Sequence, residues 1–211
     1  MTHRQALVKR SLDVVLAGVG LVLTAPVQVA GWIAATVSTG RNGLFRQQRI
    51  GRGGSPFVVL KLRTMRDQPE LTSTVTTTRD DRVTRTGAWL RRYKIDELPQ
   101  LWNVLRGDMS LVGPRPDVQG FADVLTGDDR IVLTVRPGIT GPAALAYRHE
   151  EEILAAVPDA ETHNRDVVWP DKVRINREYV HGWTMAGDLT YILESIRSVL
   201  RTRSVAEVGL P

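Results

Sequence analysis

The 211-residue chain contains no cysteine, which removes disulfide staples, thiolate nucleophiles and cysteine-type zinc sites together. A reducing, intracellular setting fits that absence. Aromatic residues make up only 6% of the chain and are not interleaved with its basic clusters, which argues against a nucleic-acid binder built on stacking platforms. No glycine-rich loop runs into Lys-Ser or Lys-Thr, so the Walker-type NTPase has no support. Acidic residues are nearly missing from the first 66 positions, where ten Lys or Arg stand against Asp13 alone, while the remainder holds 18 basic against 22 acidic residues. That polarity directs one end of the molecule toward an anionic surface or ligand, a solvated basic face being the plain alternative. The length suits one domain with a real core.

What is present begins with an apolar run. Residues 14 to 40, "VVLAGVGLVLTAPVQVAGWIAATVSTG", carry no charge over 27 positions, with Lys9, Arg10 and Asp13 before them and Arg41 after. The run is long enough for a membrane segment, and too long, with no cleavage pattern, for a signal peptide. Pro26 stands at its middle, removing one backbone donor and predicting a bend or break. Basic residues flank both ends, and such flanks prefer the cytoplasmic side. A helix that breaks at Pro26, enters the membrane and returns satisfies both features. Each arm of about 12 residues, at about 1.5 Å per residue, reaches roughly 18 Å, short of a core of about 30 Å. A kinked spanning helix remains the competitor. Residues 1–40 are therefore assigned to a membrane segment and 41–211 to a compact soluble domain.

Beyond residue 41, "GLFRQQRIGRGGSPFVVLKLRTM" reads as a hairpin around a Gly-Gly-Ser-Pro turn, with Lys61 and Arg63 on one face of its second strand. "DQPELTSTVTTTRDDRVT" reads as an exposed loop. A last helix carries Leu189, Ile192, Leu193, Ile196 and Leu200 on one stripe, ringed by Arg197, Arg201 and Arg203. Packing on the core is the favoured use of that stripe, lipid contact the alternative. The fold class is α/β, mainly helical with a small β-hairpin.

The centre of interest is "KIDELPQLWNVLRGDMSLVGPRP", residues 94 to 116. Leu98, Leu101, Trp102 and Leu105 mark one helix face and Gly107 a stop. Asp96 falls at the expected N-cap, with Glu97 and Pro99 in the first turn. A capped helix explains the pair structurally. The surroundings suggest more: Arg85, Arg91, Arg92 and Lys94 lie upstream, and Arg115 sits in a rigid turn between Pro114 and Pro116. Guanidinium forks suit phosphate oxygens, and an ionised Asp96 can act as a nucleophile on phosphorus. A carboxylate approaching a diphosphate needs cations between them, and a divalent ion such as Mg²⁺, held by Asp96, Glu97 and phosphate oxygens, is the usual solution.

These residues resemble the bacterial sugar transferase family of small monotopic phosphoglycosyl transferases. The likeness runs from "KRSLD" through "FRQQRIGRGGSPFVVLKLRTM", "TRTGAWLRRYKIDELPQLWNVLRGDMSLVGPRP" and "RPGITGPA" to "YV" and the last helix. It implies a re-entrant membrane helix around Pro26 and a catalytic domain on the cytoplasmic face of the bacterial inner membrane. It also implies transfer of a phosphosugar from a UDP-sugar to polyprenyl phosphate, with release of UMP and a covalent intermediate on Asp96. Glu97 would share Mg²⁺ or assist proton handling. Arg91 and Arg115 become the expected phosphate clamps, with Pro114 and Pro116 shaping the turn. Lys61, Arg63, Arg136 and Arg148 are further candidate substrate contacts. The implied partners are the UDP-sugar, the lipid carrier, the membrane and downstream glycosyltransferases, and no nucleic acid.

The chain departs from the commoner family pattern after "PGITG". Here it reads "PAALAYRHEEEIL", with Tyr147, Arg148 and the trio Glu150 to Glu152, and Asn176 stands in "RINREYV" where relatives often carry Asp. These changes put the sugar preference in doubt. An acidic first turn of a helix explains the trio equally well. A non-enzymatic membrane scaffold explains the apolar run but has no need of the Asp-Glu pair beside arginines. A soluble phosphoryl transferase with a simple anchor is the nearer alternative.

Overall fold

A computed structural model describes residues 1–67 and 80–207, the side chains of 201–207 excepted. Most of the Thr-rich stretch read as a loop, and the Arg201 and Arg203 side chains, therefore lie outside the described residues.

The first element is one helix, α1 (His3–Thr39), 37 residues or about 55 Å long at about 1.5 Å per residue. A capping box starts it: Gln5 N donates to Thr2 Oγ1 and Thr2 N to Gln5 Oε1. Gly40, at φ +71°, ends it. Pro26 lies inside the helix without ending it, so the break expected there is corrected to one continuous helix. A proline removes a single intrahelical bond, and the turns on either side keep theirs.

The side chains on α1 are distributed opposite to those of a soluble helix. Its buried positions are Lys9, Asp13, Ala17, Gly31 and Ala35, while Val22 and Leu23 are about three-quarters exposed and Leu7, Val8, Val15, Val19, Val29, Ile33 and Val37 are more than half exposed. The helix is long and apolar enough to cross a membrane. Its small and polar stripe packs on the rest of the chain at both ends. Near the N-terminus, Ala17 joins Val59, Val104 and Met109 in one core cluster, and beyond Pro26, Ala35 joins Leu62 and Leu90 in another.

The expected hairpin is present: β1 (Leu44–Ile50) pairs antiparallel with β2 (Pro56–Leu62), Phe45 opposite Lys61. The segments α2 (Arg85–Arg92) and α3 (Gln100–Arg106) follow. Thr84 caps α2 by accepting from Gly87 N at 2.8 Å, and Gly107, at φ +93°, ends α3 where the stop was expected. Asn103 on α3 is buried and ties it to the hairpin, accepting from Leu60 N at 3.0 Å and donating to Val58 O at 2.7 Å.

A second sheet was not foreseen. The strand β3 (Ser110–Val112) pairs in parallel with β4 (Gly138–Thr140), each too short for alternation to register. The two run so close that a Cβ on Gly138 would collide with the Gly113 backbone. Short helices α4 (Pro142–Ala146), α5 (Glu150–Ala155) and α6 (Ala160–His163) lead to α7 (Trp169–His181) and the final α8 (Met185–Glu207). The stripe of α8 was expected to pack on the core. Ile192 does so, against the cluster of Val112, Tyr179 and Val180, but Leu189, Leu193, Ile196 and Leu200 stay 43–56% exposed. The correction follows from where α8 is held, which is chiefly its first turn. There the buried Asp188 accepts from Lys9 Nζ at 2.5 Å, Tyr179 OH at 2.7 Å and Trp183 Nε1 at 3.0 Å.

Candidate active site

Asp96 and Glu97 sit in a single 3-10 turn, Ile95–Glu97, ahead of α3. The helix begins at Gln100, its N-cap is Pro99, and no side chain caps it, so the expected N-cap role of Asp96 is corrected. Lys94, the only described non-glycine residue with positive φ, at +55°, turns the chain sharply just before the pair. Such strain persists only where surrounding structure holds it and clusters at functional sites. Both carboxyls are thereby buried, 7% and 8% exposed.

Their environments differ. Glu97 Oε1 accepts from Arg115 Nη2 at 2.5 Å and from Lys61 Nζ at 3.4 Å. Burial works to raise its pKa, but Arg115, Lys61 and Lys94 together hold it well below the usual carboxylate range. Asp96 Oδ1 is buried with no hydrogen-bond partner. Burial first, and then the charge of Glu97, push the Asp96 carboxyl up to about 6 against the pull of Lys61, Lys94 and Arg91. Lys61 is itself lowered to about 8 by burial and by Arg115. The pair thus consists of one permanently ionised anchor and one carboxylate whose oxygen faces no protein donor.

Around them opens a cavity of about 1530 Å³, lined by Lys61, Arg91, Lys94, Arg115, Arg148 and Lys172 among other cations. Arg115 is set by a turn braced on both sides: Pro114 O accepts from Gly138 N at 2.8 Å and Pro116 O from Arg49 Nη1 at 3.3 Å. Arg49 is lowered to about 10 by burial and by Arg115. Arg91 pairs with Glu151, and Glu150 accepts from Lys172 Nζ at 2.6 Å. The acidic trio is therefore both the first turn of α5 and part of the cavity wall. Arg148 lines the cavity and makes no side-chain hydrogen bond or ion pair among the described residues.

Two expected contacts fare differently. Arg63 reaches the cavity wall but is engaged elsewhere, by Asp67 at 3.2 Å, Asn42 O at 3.0 Å and the Phe45 ring. Arg136 does not line the cavity; its Nε donates to Gly107 O at 2.8 Å and so fastens the end of α3. Sequence reasoning missed Lys172 and Arg49, and undervalued Lys94. Only its place two residues before Asp96 marked Lys94, because a positive φ leaves no trace in residue type.

Asp96 Oδ1, an orphaned hard oxygen beside a second carboxylate, fits Mg²⁺, which takes one or two carboxylates and completes its shell with phosphate oxygens and water. No cluster of three or more metal-ligating side chains occurs among the described residues, so phosphate oxygens would have to supply the rest.

The profile of the bacterial sugar transferase family matches residues 4–202. Among curated proteins, the chain is 38% identical over 198 residues to the UDP-glucose:undecaprenyl-phosphate glucose-1-phosphate transferase of Caulobacter vibrioides, covering 92% of this chain and 70% of that protein. It is 32% identical over 211 residues to the exopolysaccharide production protein ExoY of Rhizobium meliloti, at 92% and 86% coverage. It is 30% identical over 209 residues to the undecaprenyl-phosphate galactose phosphotransferase of Salmonella typhimurium, of which it spans 40%.

Proposed function

Because this chain belongs to the bacterial sugar transferase family, we propose that it moves a sugar 1-phosphate from a UDP-sugar to undecaprenyl phosphate, opening a polysaccharide pathway at the inner membrane. The observation that carries this reading is the asymmetric carboxyl pair: Glu97 Oε1 is held by both Arg115 and Lys61, while Asp96 Oδ1 is buried with no hydrogen-bond partner. An ionised Asp96 oxygen attacks the β-phosphorus of the donor. The new O–P bond forms as the bond from that phosphorus to the bridging oxygen breaks, and UMP leaves. A phosphate oxygen of the lipid carrier then attacks the same phosphorus, the Asp96 O–P bond breaks, and the carboxylate is regenerated. Lys61, Lys94, Arg91 and Arg115 neutralise the diphosphate as its charge shifts. Mg²⁺, held by Asp96, Glu97 and phosphate oxygens, would add charge neutralisation at the same place.

A re-entrant course with both ends on the cytoplasmic face, the continuous helix bending at Pro26 rather than breaking there, is supported by where α1 docks. Lys9, Asp13 and Ala17 dock on the domain before Pro26, and Gly31 and Ala35 dock on it after. A helix crossing once would leave one end beyond about 30 Å of hydrocarbon.

The test supplies UDP-glucose, UDP-galactose and UDP-N-acetylgalactosamine in turn with undecaprenyl phosphate, Mg²⁺ and the chain in vesicles. UMP release and a sugar-phosphate adduct on Asp96 by mass spectrometry are expected. UMP release that requires both substrates together, with no adduct, would remove the two-step mechanism.

A further inference from the structure

Beside the cationic cavity lies another of opposite character. It encloses about 660 Å³, within the range of about 300–1,000 Å³ usual for small-molecule sites. Among the apolar side chains of its walls are Leu16 on α1, Leu101 on α3, Ile139 on β4, and Ile192, Ile196 and Leu200 on α8. Its other end is charged, because Lys94, Glu97, Arg115 and Arg148 line both cavities. Its rim is apolar as well as open: Leu16, Ile196 and Leu200 are 37%, 53% and 56% exposed. Leu16 lies on α1 between the outward-facing Val15 and Val19. A greasy path therefore runs from the outer surface of α1 and α8 to Glu97 and Arg115, which also line the cavity that holds Asp96.

A nucleotide sugar is polar along its whole length and has no use for such a slot. An amphiphile with an anionic head and a long hydrocarbon tail matches both ends. We infer that this cavity seats the first isoprene units of the polyprenyl phosphate acceptor, with its phosphate between Arg115, Arg148 and Lys94. The inference rests on the function proposed above and locates the acceptor within it. Hydrocarbon moving from a bilayer into an apolar slot changes solvent little. The slot therefore acts on position: it fixes the tail so that the phosphate arrives beside Asp96. Arg148, which has no side-chain partner among the described residues, is free to receive it.

The experiment uses the full chain in lipid nanodiscs, the best of the three UDP-sugars as donor, and undecaprenyl phosphate or farnesyl phosphate as acceptor. Ile196→Trp and Leu200→Trp each narrow the slot at a residue that lines it and does not line the cationic cavity. The expected result is an acceptor KM raised about tenfold or more while the donor KM stays within about twofold, with unchanged melting temperature. Acceptor and donor KM rising together, or neither moving, overturns the slot while leaving the transferase reading intact. A farnesyl phosphate bearing a diazirine on its first isoprene unit gives a readout on the unsubstituted chain. Crosslinks at Leu101 and on residues 192–200 are expected, and crosslinks confined to the outward face of α1 around Val22 and Leu23 overturn the assignment. A chain that turns over no donor with either acceptor removes the proposed function and the slot with it.

Discussion

Two buried charge clusters among the described residues are built to opposite specifications. At the foot of α1, Lys9 donates to Asp188 and to Val112 O, Asp188 also accepts from Tyr179 and Trp183, and Asp13 accepts from Ser110 Oγ at 2.8 Å and Leu111 N at 3.0 Å. Every carboxylate oxygen there has a donor. At the Asp96–Glu97 turn Glu97 Oε1 is held by Arg115 and Lys61, while Asp96 Oδ1 is buried with no hydrogen-bond partner. Buried polar groups are nearly always satisfied, so the first cluster reads as architecture and the second as a site kept open for a ligand. Complete pairing fastens α1 to α8 and to β3, the strand that leads into the Arg115 turn. Incomplete pairing leaves one oxygen available for chemistry.

The contrast is broken most directly at Asp96. Asp96→Asn is expected to lower turnover on the order of 10⁴-fold, as loss of a nucleophile does. The same variant is expected to melt higher at pH 8. A carboxyl whose folded pKa is raised from 3.8 to about 6 contributes stability when protonated, and that contribution is lost as pH climbs from about 4 through 6. Removing the charge restores up to about 3 kcal/mol, since one pKa unit is worth about 1.4 kcal/mol. Scanning calorimetry at pH 5 and pH 8 checks it; equal melting temperatures for both proteins at pH 8 would contradict the poised state.

At the other cluster the expected sign reverses. Asp188→Ala strands Lys9 in the interior and is expected to cost about 3–5 kcal/mol, read by denaturant titration in detergent, with the donor KM of the folded fraction unchanged. A third measurement sharpens the comparison through pH: donor kcat/KM is expected to fall about tenfold per unit below pH 6, as Asp96 takes up its proton. Residual activity in Glu97→Gln should show that limb at lower pH, because the neighbouring negative charge is gone. The smallest effect is expected from Val22→Asn on the outward face of α1, within about 0.5 kcal/mol in detergent yet weakening retention by vesicles in flotation.

Much of this arrangement was legible in residue order. The hairpin followed from a Gly-Gly-Ser-Pro turn between apolar runs, the stop of α3 from Gly107, and the Asp-Glu pair from its arginine neighbours. What escaped notice depended on contacts distant in sequence. Lys9 and Arg10 read as flanking cations for a membrane surface, yet Lys9 is a buried tether and Arg10 donates to the carbonyls of Val104 and Leu105 that end α3. Asp96 read as a helix cap because spacing alone favours it, whereas Lys94 turns the chain so that the carboxyl leaves its own helix. Arg136 stood beside a glycine turn and was drawn to the site by proximity in sequence, although its guanidinium braces α3 from outside the cavity. The three-residue strands β3 and β4 carry no period to detect.

One amide has a reach that its size conceals. Asn103 grips the backbone of β2 at Leu60 N and Val58 O, two points on either side of Val59 and immediately before Lys61. Slipping the strand by one residue would send Lys61 to the opposite face and leave the ammonium pointing away from Glu97. A single carboxamide in the interior thereby works as a ratchet pawl, locking the phase of a hairpin so that a lysine one residue past its grip meets a partner 36 positions along the chain.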